Sequence, residues 1–169
     1  MSRHTTLGSL QEVSLRPIAP EDLPVLQRVY SSTRTDILGL PWSDEQKQAF
    51  LQMQFQAQHT YYQAQFPEAD YLVLERHGQP IGRLYVDRRV DRIHILDIAL
   101  LPEARGGGLG TRLLLDLMTE GLRTQRDVTL YVERENTARE FYRRLSFTPV
   151  EEQGIYILMQ WKYASGLPT

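Results

Sequence analysis

The sequence contains no cysteine. The chain therefore cannot form a disulfide, bind a metal through thiolates or use a cysteine as a covalent nucleophile. Lack of disulfides is typical of proteins from reducing compartments, and we expect a cytoplasmic location.

Long apolar runs and a strong charge of either sign are also missing. No run approaches the roughly 18 apolar residues of a membrane-spanning helix, and residues 1–6 include no apolar signal-peptide core. The net charge of −2 provides no general attraction to nucleic acid. We therefore expect neither a membrane nor a nucleic-acid partner.

The chain length of 169 residues suits one domain with an ordinary core, because 41% of the residues are hydrophobic and 24% are charged. We predict an N-terminal arm over residues 1–12, a domain over 13–162 and a tail over 163–169. The predicted element order is β-α-α-β-β-β-α-β-α-β-β. This order is not a simple strand–helix alternation, which disfavours a doubly wound sheet.

A long helix is predicted to begin after Ser43, because Ser43 and Gln46 match a capping box. It should run for about twenty residues and end at Pro67. Two neighbouring apolar stripes are expected to face the core: Phe50, Met53, Ala57, Tyr61 and Ala64 in one, and Leu51, Phe55, Tyr62 and Phe66 in the other.

The most informative stretch is Leu96–Gly110, where an apolar strand leads through a glycine-dense turn into a helix predicted over 107–123. Glycines allow positive φ and a close approach of a ligand to the backbone, and free N–H groups at a helix start attract anions. The stretch is therefore either a phosphate cradle with Arg105 at its mouth or an ordinary strand-to-helix turn.

The glycine spacing excludes two common nucleotide-binding turns. A Walker loop would need Gly-Lys-Ser/Thr, and no lysine follows Gly110. A Gly-x-Gly-x-x-Gly fingerprint would require glycine at Thr111 or Leu113.

Two motifs instead resemble signatures of the GNAT N-acetyltransferase superfamily. Arg105, Gly108 and Gly110 match the spacing Arg-x-x-Gly-x-Gly of its acyl-CoA-binding turn. The stretch 136–147 resembles its second motif, Asn-x-Ala-x-x-x-Tyr-x-x-x-Gly-Phe, but Ser146 replaces the glycine. That position normally ends a helix in the left-handed region, where serine costs more than glycine.

The resemblance implies a mixed α/β fold, with a twisted, mostly antiparallel sheet of about seven strands flanked by about four helices. It also implies an acyl-CoA-dependent N-acyltransferase that moves acetyl from acetyl-CoA to a primary amine by direct attack in a ternary complex. No metal is expected. Two alternatives stay open: a non-catalytic CoA-binding module of the same fold, and an interaction protein whose glycine turn binds another anion.

Donor-binding residues follow from the resemblance. The strand backbone would hold the pantetheine arm, with the N–H near Leu100 facing the thioester carbonyl, and the turn would hold the pyrophosphate. The full set is Ile98, Ala99, Leu100, Arg105, Gly106, Gly107, Gly108, Leu109, Gly110, Thr111, Asn136 and Tyr142. Core packing for the strand and helix capping for Asn136 are the structural alternatives.

The resemblance assigns Tyr142 as the general acid that protonates the departing thiolate, while simple packing of Tyr142 in its helix is the alternative. A phenol has a reference pKa of about 10 and is protonated at neutral pH. The general base is left open among His94, which titrates in the useful range, Asp97, Glu133 and a water relay.

The acceptor is expected to be a small-molecule or peptide amine recognised by residues 31–66 and the turn at 87–92. Aromatic side chains in the first region could line a pocket, and acidic ones could attract a cationic amine, although core packing and a solvated helix start explain them better: Trp42, Tyr61, Tyr62 and Phe66 for the pocket, and Asp36, Asp44 and Glu45 for the charge. The last strand, over 155–162, is apolar on both faces, which suggests a covered sheet edge and hence a homodimer.

Overall fold

The computed structural model describes residues 5–7 and 13–169. Its strands are β1 Thr5–Leu7, β2 Val13–Pro17, β3 Asp70–Arg76, β4 Gln79–Arg88, β5 Arg92–Leu100, β6 Asp127–Glu133, β7 Thr148–Gln153 and β8 Tyr156–Trp161. Its α-helices are α1 Leu23–Thr33, α2 Thr35–Leu38, α3 Asp44–Gln65, α4 Leu109–Thr124 and α5 Ala138–Arg144. Apart from Thr5–Leu7, the predicted arm over 1–12 lies outside the described residues.

The strands form one sheet of order β1-β2-β3-β4-β5-β6-β8-β7. Strands β5 and β6 pair in parallel, whereas β1 with β2, β2 with β3, β6 with β8 and β7 with β8 pair antiparallel. The predicted α/β fold and element order are confirmed, and β1 and the single-turn α2 are additions to them. The described helices include none with the length and apolar content needed to span a bilayer.

The chain divides into two compact units, one of Met1–Leu84 with Ile98–Arg105 and one of Tyr85–Asp97 with Gly106–Thr169. In the first unit, helices α1, α2 and α3 pack with β3 around a cluster of Leu26, Tyr30, Ile37, Leu51, Phe55 and Val73. On α1, Val29 packs instead with Ala99 and Leu101 at the end of β5.

Helix α3 confirms its predicted start and corrects its predicted core face. The Ser43 side chain accepts from the Gln46 N–H, and Gln46 returns the bond, as the capping box requires. Leu51 and Phe55 are buried, but Met53 and Tyr61 are 56% and 57% exposed. The expectation of two buried stripes is therefore wrong, because this helix meets its neighbours along one narrow face.

In the second unit, α4 buries Leu113, Leu114, Leu117 and Met118, and β8 buries Ile157, Met159 and Trp161. Strand β8 lies between β6 and β7 in the sheet. The interpretation of the last strand as a sheet edge is therefore wrong, because β7 pairs with β8 on the side away from β6. The reason for expecting a homodimer is removed, and the oligomeric state stays untested.

Gly121 sets how closely α4 approaches its neighbours in the second unit. A Cβ at this position would lie 2.5 Å from the Arg126 carbonyl oxygen and 3.1 Å from the Trp161 ring. We expect Gly121→Ala to lower the free energy of unfolding by roughly 2–3 kcal/mol, because overpacking outweighs the better helix propensity of alanine. Urea denaturation measures this loss. Gly107→Ala, where a Cβ meets nothing within 4 Å, is the matched control, and equal stability of the two variants would contradict the prediction.

Candidate active site

The glycine turn between β5 and α4 adopts a backbone that other residues rarely take. Gly106 and Gly108 have φ values of +82° and +80°. A Cβ at either position would meet nothing within 4 Å, so open space lies beside the turn. The two glycines are therefore required by conformation, as expected for a turn whose backbone faces a ligand.

Helix α4 begins at this turn without a side-chain cap. Gly108 is its N-cap, and the first helical bond runs from the Arg112 N–H to the Gly108 carbonyl at 3.0 Å. Residues 109–111 form the first turn, whose N–H groups have no acceptor within the helix. Together with the helix dipole they fit an anionic group such as a pyrophosphate.

Arg105 contacts the end of the preceding strand. Its Nε donates to the Leu100 carbonyl oxygen and its Nη2 to the Ser32 hydroxyl oxygen, each at 3.0 Å. The guanidinium thus joins α1 to β5 in the first unit. Its predicted contact with a pyrophosphate stays a prediction.

Strand β5 extends beyond its parallel register with β6. The register runs from Arg92 opposite Asp127 to Ile95 opposite Leu130, and β5 continues to Leu100. Ala99 is buried, whereas Ile98 and Leu100 are half-buried. These last residues are the ones predicted to hold the pantetheine arm.

Gly82 on β4 is a structural residue of this region that the sequence analysis missed. A Cβ there would lie 2.6 Å from the Ala99 carbonyl oxygen, and the Leu101 N–H donates to the neighbouring Ile81 carbonyl at 2.8 Å. Glycine inside a strand pattern is the signal that could have identified this close backbone approach.

His94 is buried on β5 among residues of the second unit. Its Nδ1 lies 2.7 Å from the Thr129 hydroxyl oxygen, and the Tyr131 ring packs edge-on at 5.5 Å. Burial lowers the pKa of His94 to about 4, and the positive charges of Arg89 and Arg92 add to the shift. The expectation that His94 titrates near neutral pH is therefore wrong, because the sequence did not reveal its desolvation.

Tyr142 is held by the way α5 ends. The Phe147 N–H donates to the Tyr142 carbonyl at 3.1 Å, and the Ser146 N–H to the Arg143 carbonyl at 2.9 Å, which is a Schellman motif. The Tyr142 and Phe147 rings meet edge-on at 6.0 Å. Ser146 has a φ of +71°, which confirms the left-handed conformation predicted for this position.

The structure brings Tyr142 close to Asp97. Burial raises the pKa of Tyr142 to about 12, and the negative charge of Asp97 contributes to the rise. The Tyr142 hydroxyl is therefore protonated at neutral pH and can donate a hydrogen bond.

Asn136 and Glu133 lie just before α5. The Asn136 Oδ1 accepts from the Ala138 N–H at 2.9 Å, although the N-cap position of α5 belongs to Thr137. The Asn136 N–H donates to the Glu133 carbonyl at 3.0 Å. The Glu133 side chain is exposed. Within the described residues, histidines and carboxylates nowhere gather in groups of three or more that could hold a metal ion.

Three of the candidate acceptor residues meet in the first unit: the Tyr62 ring lies 6.0 Å from the Tyr61 ring and 6.3 Å from the Phe66 ring. Asp36 is bound by Arg34 at 2.9 Å, and Trp42 packs edge-on against Phe50 at 5.6 Å. Asp44 lines a cleft of about 480 Å³ between α1 and α3, together with Arg28, Ser31, Lys47 and Gln48. The structure therefore brings Tyr61, Tyr62 and Phe66 together, whereas Asp36 and Trp42 have other partners.

Comparison with known proteins finds a family model and a relative that match this chain. Residues 35–147 match the model of the Acetyltransferase (GNAT) family. Mycothiol acetyltransferase of Streptomyces griseus is 33% identical over 100 residues, which cover 54% of this chain and 31% of that protein. The chain thus spans about a third of the length of this curated relative.

Solved structures share the fold. PaiA N-acetyltransferase from Thermoplasma acidophilum, in complex with coenzyme A, superposes with a TM-score of 0.67 at 19% identity, covering 90% of this chain and all of that one. An acetyltransferase from Thermus thermophilus gives a TM-score of 0.65 at 19% identity, covering 94% of this chain and 99% of that one.

The strained end of α5 predicts a stabilising substitution. We expect Ser146→Gly to raise the free energy of unfolding by about 1 kcal/mol, because glycine removes the left-handed strain of a residue with a Cβ. Chemical denaturation measures the gain. Ser146→Ala keeps the Cβ and should stay close to the parent, so equal stability of the two variants would argue against the strain.

The buried His94 predicts an acid-sensitive stability. Its pKa is lower in the folded than in the unfolded chain, so its contribution is complete above pH 6.5 and is lost as the pH falls towards 4. The loss should be about 3 kcal/mol. As the pH falls from 6.5 towards 4, the free energy of unfolding of His94→Gln should fall by about 3 kcal/mol less than that of the parent. Urea denaturation at each pH measures the difference. His77→Gln, in the exposed turn after β3, should retain the parental profile, and a parental profile in His94→Gln would contradict the prediction.

Proposed function

Because the chain belongs to the GNAT acetyltransferase family, we propose that it is an N-acetyltransferase that uses acetyl-CoA to acetylate a primary amine by direct attack. The observation that carries the proposal lies in the second unit. There the uncapped start of α4 after Gly106 and Gly108 occurs together with a half-buried, protonated Tyr142. Coenzyme A in the PaiA structure supports the choice of donor.

The chain offers two kinds of backbone contact to the donor. The N–H groups of the glycine turn and of residues 109–111 would hold the pyrophosphate, with the Arg105 side chain adding positive charge. The backbone of Ile98–Leu100, past the β5–β6 register, would pair with the pantetheine arm as an added strand does. The Leu100 N–H would stabilise the oxyanion.

Acetyl-CoA supplies the acetyl group as a thioester, whose C–S bond breaks as the C–N bond to the amine forms, with the electron pair leaving on sulfur. The phenol of Tyr142, with a pKa of about 12, holds its proton more tightly than a thiol with a reference pKa of about 8.5. Tyr142 therefore donates a hydrogen bond to the departing sulfur, which takes up, through water, the proton that the nitrogen loses as the amide forms. This refines the general-acid role expected from the sequence.

The attacking amine must first lose a proton. His94 is a poor acceptor, because its conjugate acid has a pKa of about 4. Asp97 lies near Tyr142, and Glu133 is exposed at the end of β6. One of these two carboxylates, or water leading to bulk solvent, is therefore the proposed proton acceptor.

Tyr142→Phe tests the proposal in an assay of free thiol release from acetyl-CoA, screened against amines, amino acids, peptides and aminoglycosides. Acetyl-CoA should raise the melting temperature of the parent and of Tyr142→Phe by several degrees, because the ligand binds only the folded state. We expect kcat to fall about 100-fold with a nearly unchanged KM for acetyl-CoA, because a transition-state hydrogen bond is lost.

Tyr163→Phe removes a hydroxyl from the 3-10 turn Tyr163–Ser165 and should leave the kinetics unchanged. If acetyl-CoA left the melting temperature unchanged, the result would contradict CoA binding and favour a protein whose glycine turn binds another anion. A thermal shift without thiol release for any amine would indicate a CoA-binding module without catalysis.

A further inference from the structure

The short turn after β5 brings the chain back onto the end of that strand. It is a 3-10 turn over Pro102–Ala104, and its Ala104 side chain is buried. The Arg105 N–H donates to the Pro102 carbonyl at 3.2 Å and closes the turn. The Arg105 side chain can therefore bond to the Leu100 carbonyl, five residues earlier in the chain.

The peptide group that links Leu100 to Leu101 is held on both sides. Its carbonyl oxygen accepts from the Arg105 Nε at 3.0 Å, and its N–H donates to the Ile81 carbonyl on β4 at 2.8 Å. This peptide directly follows the Leu100 N–H, the group proposed above to stabilise the oxyanion. The orientation of the Leu100 backbone therefore depends on the Arg105 guanidinium.

The same guanidinium also bonds to α1. Its Nη2 donates to the Ser32 hydroxyl oxygen at 3.0 Å, and that hydroxyl donates in turn to the Val29 carbonyl at 2.7 Å. The Val29 side chain packs with Ala99 and Leu101 at the end of β5. Helix α1 is therefore joined to the strand end by apolar packing and by a chain of hydrogen bonds through Ser32.

We propose that Arg105 is a positioning residue, which is anchored by Ser32 and fixes the Leu100 backbone so that the Leu100 N–H faces the oxyanion. This inference rests on the proposed N-acetyltransferase function. The positive charge that Arg105 adds at the pyrophosphate is a separate role. A charge acts from any nearby position, whereas bonds to two separate acceptors require the planar guanidinium.

Arg105→Lys distinguishes the two roles. Lysine keeps the charge but has one nitrogen, which cannot replace both Nε and Nη2. We expect kcat to fall about fivefold while the KM for acetyl-CoA stays within about twofold of the parent, because the lost alignment serves the transition state. The thiol-release assay measures both constants, with the amine that gives the highest parental rate in the screen described above.

A donor without the pyrophosphate provides the second arm of the test. S-acetylpantetheine carries the thioester and the pantetheine arm but no phosphate. A positioning role predicts that Arg105→Lys lowers kcat/KM for this donor about fivefold as well, because the oxyanion is the same. A loss confined to acetyl-CoA would assign the missing contact to the phosphates and overturn the inference.

Ser32→Ala removes the anchor on α1 and leaves Arg105 in place. We expect kcat to fall roughly threefold, and the same change should add nothing in the Arg105→Lys background, because both substitutions break one chain of contacts. Thr119→Ala is the matched control. The Thr119 hydroxyl also donates to a carbonyl of its own helix, that of Leu115 at 2.8 Å, and its removal should leave kcat unchanged.

The melting temperature of each variant separates a lower rate from a loss of folded protein. A parental kcat in either single variant would overturn the inference, and so would losses that add in the double variant. If no amine released thiol from acetyl-CoA with the parent, the proposed function itself would be overturned, and the inference with it.

Discussion

The parallel pairing of β5 with β6 is the constraint on which the candidate site depends. Parallel neighbours cannot be joined by a hairpin, so the chain must cross over between them, and α4 provides the crossover. Helix α4 therefore follows β5 in the chain and begins at Leu109, after a turn in which Gly106 and Gly108 have positive φ. One connection thus supplies the uncapped helix start, and glycine is required at the turn that precedes it.

Desolvation in the second unit keeps His94 and Tyr142 neutral by shifting their pKa values in opposite directions. His94 is prevented from gaining a proton and Tyr142 from losing one. The two groups share a cause, desolvation, but differ in consequence: the histidine is removed from acid–base chemistry near neutral pH, whereas the tyrosine is preserved as a donor.

Features encoded by a few adjacent residues could be predicted from the sequence. The capping box at Ser43 and the left-handed Ser146 each depend on local chemistry, and each is confirmed. The exposure of Met53 and Tyr61, the interior position of β8 and the lowered pKa of His94 depend on residues far away in sequence. Periodicity shows that a face is apolar, but not which neighbour covers it. The donor-binding roles are not tested by the fold, because they concern a molecule that the sequence only implies.

The contact at Gly121 has a mechanical consequence for α4. Near its C-terminal end the helix lies against the Arg126 carbonyl and the Trp161 ring with no room for a methyl group, whereas Gly106 and Gly108 before its N-terminal end face open space. Close packing at Gly121 therefore fixes the C-terminal end of α4 against its neighbours. The direction of the helix dipole is therefore set by packing near the C-terminal end of α4.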